Sequence, residues 1–185
     1  MDSIFVKKIR VLTPNDYDKI LSQIDKPYLR RRFLILFWSG MRYAEFERFH
    51  GNPEWYLKSR NTIHLPEHAQ KKVKRKQLDR YIHPLPDLLQ EIITQFHEDP
   101  KPSSIQGWNQ SLKRWAENAG LDPIGFSAKT TRKSIESWMI AAEVPENVVY
   151  LRQGHDRITS LQHYQGLPFT PAERIEIKRR LAGWV

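Results

Sequence analysis

Arg42 follows a glycine in Ser39-Gly40-Met41-Arg42-Tyr43-Ala44-Glu45, where one helical stretch breaks and the next begins. An arginine at a helix start aims its guanidinium at whatever lies on that end, and the free helix amides there add positive potential. Glu45, one turn on, can hold that arginine or a neighbouring helix. A second segment, Lys71-Lys72-Val73-Lys74-Arg75-Lys76, places five cations in six residues. On a flexible tip, such side chains reach phosphates or base edges, and a lysine can hand a proton to a leaving alkoxide. A third, Lys129-Thr130-Thr131-Arg132, sets two cations on one helical face. They repel each other unless an anion such as phosphate lies between them. The fourth is Gly154-His155, followed nine residues later by Tyr164. It supplies an imidazole and a hydroxyl nucleophile.

Each segment also has an ordinary structural reading. Arg42 reads as a surface arginine at a helix corner, and the lysine run as a solvated tip that keeps a sheet edge from pairing. Lys129 and Arg132 read as two exposed charges. Tyr164, at helical spacing from Leu161, reads as a packed ring with a wet hydroxyl.

The whole-chain charge favours the first set of readings. Thirty Lys and Arg stand against 21 Asp and Glu, a formal charge of +9, and this asymmetry points to a polyanion partner. The chain is 39% hydrophobic and 28% charged, an ordinary globular mixture that argues against whole-chain disorder. Its longest apolar run, Phe33 to Trp38, is six residues, too short to cross a membrane as a helix. The start Met1-Asp2-Ser3 has no signal-peptide pattern. Without cysteine, the chain has no disulfide framework, zinc–thiolate site or thiol chemistry.

The elements that must position these side chains are mostly helical. The first ten residues read as a short basic tail. Thr13-Pro14-Asn15-Asp16 starts a helix, with Thr13 as N-cap, Pro14 at N1 and Asp16 at N3. Pro27 opens a buried helix over Tyr28–Trp38 with a basic N-terminal face, Arg30-Arg31-Arg32. A short helix follows over Tyr43–Phe49. Thr62–Pro66 and Arg80–Pro84 read as two strands flanking the lysine-rich tip. Leu88, Leu89, Ile92, Ile93 and Phe96 form an apolar helical stripe. Ser103 or Ser104 caps a helix carrying Ile105, Trp108, Leu112 and Trp115, ended by Gly120. Ser127 caps the next, with Ile135, Trp138 and Met139 inward, and Pro145 starts another, closed by Gly154. A short helix carries Ile158, Leu161 and Tyr164, and Pro171 opens the last, through Arg180. The fold class expected is mainly α with a small antiparallel β-hairpin or sheet (α+β).

Taken in order, the four segments resemble the motif series of the tyrosine recombinases, or integrases. That family carries a Gly-x-Arg box, a hairpin lysine, a His-x-x-Arg box, a Gly-His step and a tyrosine nine residues beyond that histidine. Here these are Gly40-Met41-Arg42-Tyr43-Ala44-Glu45, the basic hairpin, Lys129-Thr130-Thr131-Arg132, Gly154-His155 and Tyr164. The resemblance spans Leu12 to Val185. Lys129 replaces the first histidine of the His-x-x-Arg box, as is known among integrases of archaeal viruses and plasmids, the branch this chain resembles most. The swap keeps a cation for the phosphate and weakens an imidazole acid–base role.

The resemblance implies a catalytic domain over residues 12–169, preceded by a tail or linker remnant at 1–11. By the same resemblance, this sequence is expected to be a catalytic domain alone, either a fragment or a natural truncation, without the family's N-terminal DNA-clasping domain. The helix at 170–185 either docks on a neighbouring protomer or folds back on its own domain. Tyr164 is the implied nucleophile on a DNA phosphate, forming a 3′-phosphotyrosyl link with no metal, nucleotide or other cofactor. Arg42 and Arg132 clamp the non-bridging oxygens, Lys129 adds a cation, and His155 bonds the phosphate or assists proton transfer from Tyr164. A hairpin lysine protonates the leaving 5′-oxygen. Counting back from Pro84 places it at Lys76, with Lys74 the alternative. Arg30, Arg31, Arg32, Lys71, Lys72, Lys74, Arg75, Lys113 and Arg114 are candidate contacts to the DNA backbone. The implied partner is double-stranded DNA, bound by a homotetramer in the cytoplasm of a prokaryotic host. Two other activities fit the same residues. One is a type IB topoisomerase-like nicking and relaxing enzyme. The other is a non-catalytic DNA-binding relative in which Tyr164 is structural.

Overall fold

The computed structural model describes residues 3–69, 79–154, 164 and 166–184. The lysine-rich tip and the segment expected to carry Ile158 and Leu161 lie outside the described residues. So do Lys71, Lys72, Lys74, Arg75, Lys76 and His155.

The chain begins with structure where a tail was expected. Strands β1 (Ile4–Val6) and β2 (Ile9–Val11) pair antiparallel, with Ile4 opposite Val11 and Val6 opposite Ile9. Ile4, Val6 and Val11 are buried while Phe5 is exposed, an alternation that one-sided burial of a strand requires. The turn between them is made by Lys7 and Lys8, both at positive φ, 48° and 64°. The hairpin is anchored to the body by Arg10, whose N–H donates to the Gly125 carbonyl at 2.9 Å. Its guanidinium meets Asp16 at 3.1 Å.

Helix α1 (Pro14–Ser22) starts as its residue types dictate. The Thr13 hydroxyl accepts from the Asp16 N–H at 3.1 Å, and the Asp16 carboxylate accepts from the Thr13 N–H at 3.4 Å. This reciprocal cap satisfies two amides that the first helical turn leaves open. Helix α2 (Pro27–Ser39) is the centre of the molecule: Phe33, Ile35, Leu36 and Phe37 have no exposed surface. A helix apolar on nearly every side must be surrounded, and α2 packs on α4 (Leu89–Phe96) and on α6 (Thr130–Ala141). Between α1, α2 and α6 lies an aromatic cluster. Phe37 sits 4.5 Å from Tyr17 and 4.8 Å from Trp138, ring centre to ring centre. Its polar edges are satisfied. Trp38 Nε1 donates to the Tyr17 hydroxyl at 3.1 Å, and Trp138 Nε1 to the Leu12 carbonyl at 2.8 Å. A second cluster joins α3 (Tyr43–His50), α4 and α5 (Ile105–Asn118) through Phe46, Phe96, Tyr43 and Trp108.

The expected strand pair is present and gains a third member. β3 (Tyr56–Leu57), β4 (Thr62–Leu65) and β5 (Arg80–Ile82) form one antiparallel sheet in that order, with Ile63 opposite Ile82 and Leu65 opposite Arg80. Helix α7 (Glu146–Gln153) packs against β5 and α6. Helix α8 (Pro171–Arg180) folds back on its own chain. Ile177 and Leu181 are buried, and Arg180 pairs with Asp18 through both nitrogens at 3.0 and 2.7 Å.

Several individual positions differ from expectation. Leu88 precedes α4 and is exposed, as is Ile105 at the first turn of α5, so the buried stripes start at Leu89 and Trp108. Ile175 points outward from α8. Lys129, not Ser127, is the N-cap of α6; the Ser127 hydroxyl accepts from the Lys129 N–H at 3.3 Å, and the Ser127 N–H donates to the Thr130 hydroxyl at 3.0 Å. The result is a mixed α+β chain, mainly helical, with two small antiparallel sheets among the described residues. No described helix is long and apolar enough to cross a membrane.

Candidate active site

The C-terminal end of α2 is where distant parts of the chain converge. Gly40 ends the helix in the left-handed region at φ 64°. A side chain there would be strained, and its Cβ would fall 2.7 Å from the amide group of Gln153. The last carbonyls of the helix need donors, and arginines from α6 and α7 supply them. Arg132 Nη1 donates to the Gly40 carbonyl at 2.6 Å, and Arg152 donates to the carbonyls of Ser39 (3.2 Å) and Trp38. Cations suit this end of a helix, where the macrodipole is negative.

Gln153 ties the two arginine-bearing helices to the sheet. Its side-chain oxygen accepts from Arg132 Nη1 at 3.1 Å, and its backbone carbonyl accepts from both Arg132 Nη2 and Arg80 Nη1 (3.2 Å). Arg80, at the start of β5, then donates to Glu45 at 2.7 Å. Glu45 also receives the Arg42 backbone N–H at 2.8 Å and Arg42 Nη1 at 2.8 Å. Gly154 ends α7 at φ 60°, and a Cβ there would lie 2.6 Å from Arg80 Nη1. Both glycines are therefore required by backbone conformation and by close approach to the cluster.

The electrostatics are lopsided. Arg42, Arg80, Arg132 and Arg152 crowd one locus with two buried carboxylates, Glu45 and Glu136. Burial alone would push the Glu45 carboxyl up. The guanidiniums of Arg80, Arg132 and Arg42 and the Arg42 N–H outweigh it and hold it at about 2. Burial pulls Arg132 down to about 9, and the positive charges of Arg42 and Arg80 add to that drop. Arg152 falls to about 9 by burial and by the fields of Arg80 and Arg132. A locus that depresses its own guanidiniums gains from an anion, and planar forks suit a phosphate. Arg42, with 36% of its side chain exposed, is the member of the cluster open to solvent.

Tyr164 stands on the α6 side of this locus and is only 3% exposed. Its hydroxyl donates to Glu136 Oε2 at 2.7 Å and accepts from Lys133 Nζ at 2.5 Å. The hydroxyl is thus bonded within the protein, not wet as the ring-packing reading had it. Burial, then the Glu136 charge and its hydrogen bond, raise the phenol far above its usual value, and Arg132 opposes them.

The structure brings Arg42, Glu45 and Arg132 together and sets Tyr164 against the helix that bears Arg132. Lys129 does not share Arg132's setting. It lies exposed at the N-cap of α6, while Arg132 turns inward to Gly40 and Gln153. Lys113 and Arg114 are exposed on α5. The basic face expected at Arg30–Arg32 is corrected. Arg31 is bound by Asp99 through two hydrogen bonds (2.8 and 2.5 Å), and Arg32 is buried against the Pro100 and Lys101 carbonyls. Of the three, only Arg30 is exposed, and it donates to the Leu21 carbonyl.

Sequence reasoning passed over Arg80, Gln153, Arg152, Lys133 and Glu136. A signal existed for two of them. Lys129, Arg132, Lys133 and Glu136 fall at helical spacing on one face. The other three depend on contacts between distant segments. Among the described residues, no group of three or more His, Asp or Glu is placed to hold a metal ion. Compared with known proteins, the chain matches no family model and no curated protein.

Proposed function

We propose that this chain is the catalytic domain of a tyrosine recombinase, an integrase that cleaves and rejoins double-stranded DNA through a 3′-phosphotyrosyl intermediate. The observation that carries the reading is the crowding of buried guanidinium charge around Arg132, beside a tyrosine whose hydroxyl is held by Lys133 and Glu136 of the same helix. Among the described residues, four arginines crowd two carboxylates, and an anion at this locus would relieve their mutual repulsion.

Arg42 and Arg132 clamp the non-bridging oxygens, where charge grows in the transition state. Tyr164 Oη forms the bond to phosphorus and gives up its proton, with His155 assisting. The bond to the 5′-oxygen breaks, and a hairpin lysine, Lys76 or Lys74, returns a proton to that oxygen. The covalent link stores the energy of the broken ester, so a 5′-hydroxyl can reverse the step without metal or ATP. Lys129, exposed at the α6 N-cap, adds a cation, and Glu45 orients Arg42. Four copies act together on DNA, as the resemblance implies.

The test is a nicked duplex substrate that traps the intermediate, run on a denaturing gel in EDTA with Tyr164→Phe beside the unaltered protein. A covalent protein–DNA band that disappears in the variant is the expected result. No band on DNA that the protein binds overturns the reading for this chain. Strand exchange between two duplexes, against relaxation of a supercoiled circle alone, then separates recombinase from topoisomerase.

A further inference from the structure

We propose that Lys133 and Glu136 latch the Tyr164 hydroxyl inside the protein until DNA is bound, an autoinhibitory contact within the site. The inference rests on reading Tyr164 as the nucleophile.

A phenol oxygen has one proton to give and two lone pairs to offer. Here the proton goes to Glu136 Oε2 at 2.7 Å, and a lone pair takes the Lys133 ammonium at 2.5 Å. The same ammonium lies 5.0 Å from the ring centre, so Lys133 holds both the ring and its oxygen. Glu136 has no exposed surface, and Tyr164 is 3% exposed. An in-line attack needs a phosphorus within about 3–3.5 Å of the oxygen. In this arrangement a phosphate would have to lie beside the Glu136 carboxylate, like charge against like. Tyr164 must therefore leave Glu136 before it can attack.

The latch shares its helix with the clamp. Lys133 follows Arg132 directly, and Glu136 lies one turn beyond Arg132 on the same face of α6. Lys133 feels the positive charge of Arg132, Lys7 and Lys129 and the negative charge of Glu136. A phosphate arriving at Arg132 attracts Lys133 as well. Drawn toward the anion, Lys133 gives up the Tyr164 oxygen, and the hydroxyl keeps a single bond, to Glu136. The event that loads the substrate is then the event that loosens the nucleophile. A second assignment fits the same distances, with Glu136 as the base that takes the tyrosine proton during attack. The burial of Tyr164 and the charge facing any incoming phosphate favour the latch.

The experiment uses the full chain with Glu136→Gln and Lys133→Met, both close in volume to the native side chains. Tyr164 nitration by tetranitromethane is followed by peptide mass spectrometry without DNA, with Tyr17 as a buried control. The latch predicts that Tyr164 in either variant is nitrated about tenfold faster than in the unaltered protein, the scale of losing a charge-assisted bond, while Tyr17 is unchanged. Adduct formation on the nicked duplex speeds up in parallel. Unchanged Tyr164 nitration overturns the latch, and so does a rise shared by Tyr17, which reports a loosened fold. Adduct formation that collapses in Glu136→Gln assigns Glu136 as the base and also overturns it. Faster nitration of Tyr164 alone, with no adduct from any form of the protein, leaves the latch standing and removes the strand-cleavage reading.

Discussion

The two ends of helix α2 handle arginine in opposite ways. At the N-terminal end, Arg31 meets Asp99 in a bidentate pair, and Arg32 is spread over the carbonyls of Pro100 and Lys101 with its guanidinium 4.9 Å from the Tyr28 ring centre. Arginine is unfavourable near a helix start, and Asp99 offsets it locally. At the C-terminal end, Arg132 and Arg152 suit the helix dipole but gather with Arg80 and Arg42 around Glu45. The first end has a carboxylate, Asp99, for Arg31. Among the described residues the second has four guanidiniums to two carboxylates; burial lowers Arg132 and Arg152, and the neighbouring positive charge lowers them further. The same residue type is held by local partners at one end and, in the proposed reading, receives a phosphate at the other.

The largest break in that contrast should come from Arg132→Lys. A point ammonium replaces a planar fork, and cleavage should fall by about 10²–10³, read as the rate of covalent adduct formation. Glu45→Gln should come next, because it strands Arg80 in the interior. About 3 kcal/mol of unfolding free energy should be lost in denaturant melts. The same carboxylate sets an acid sensitivity. Its folded value is about 2 against an ordinary 4.5, so its stabilisation is complete above about 4.5 and is lost as pH falls toward 2. Glu45→Gln should lack that part of the acid transition. Gly40→Ala should cost about 1–2 kcal/mol from the left-handed backbone alone, and more as Gln153 is displaced. Sulfate or phosphate bound at the arginine cluster should stabilise the fold by about 1.4 kcal/mol at ten times the dissociation constant, seen as a raised melting temperature, and Arg132→Lys should weaken the effect. The smallest effect belongs to the other end of the helix. Arg31→Ala should lose about 1 kcal/mol or less and leave adduct formation unchanged. An Arg31 variant that abolished cleavage would erase the distinction between the two ends.

What could be read from the sequence was local. Thr13-Pro14-Asn15-Asp16 specifies its own helix start, and Gly154 its own helix stop, because caps are settled within a few residues. Arg42, Arg132 and Tyr164 stood out because their spacing along the chain is itself the signal. The N-terminal hairpin was missed for a physical reason. Its turn uses Lys7 and Lys8 at positive φ, where glycine or asparagine would have announced it. Arg31 and Arg32 looked like a basic face because Asp99 and Pro100 lie 68 residues away in sequence. Gln153 and Arg80 were invisible for the same reason, since a glutamine becomes a hub only when Gly40, Arg132 and Arg80 arrive around it.

The bonds that build the cluster have a consequence for how the protein is made. Gly40 and Arg132 are 92 residues apart, Ser39 and Arg152 are 113, and the hairpin is stitched to α6 by Leu12 and Ser134 across 122. Contacts of that span form late, after the loops between them have closed. A chain emerging from the ribosome therefore displays Arg42 long before α6 and α7 exist to surround it. Until then, under the proposed function, it would meet DNA only as any basic polymer does, weakly and in a salt-sensitive way. Completion of the fold and assembly of the arginine cluster are one event, so a half-made protein has the charge without the proposed clamp.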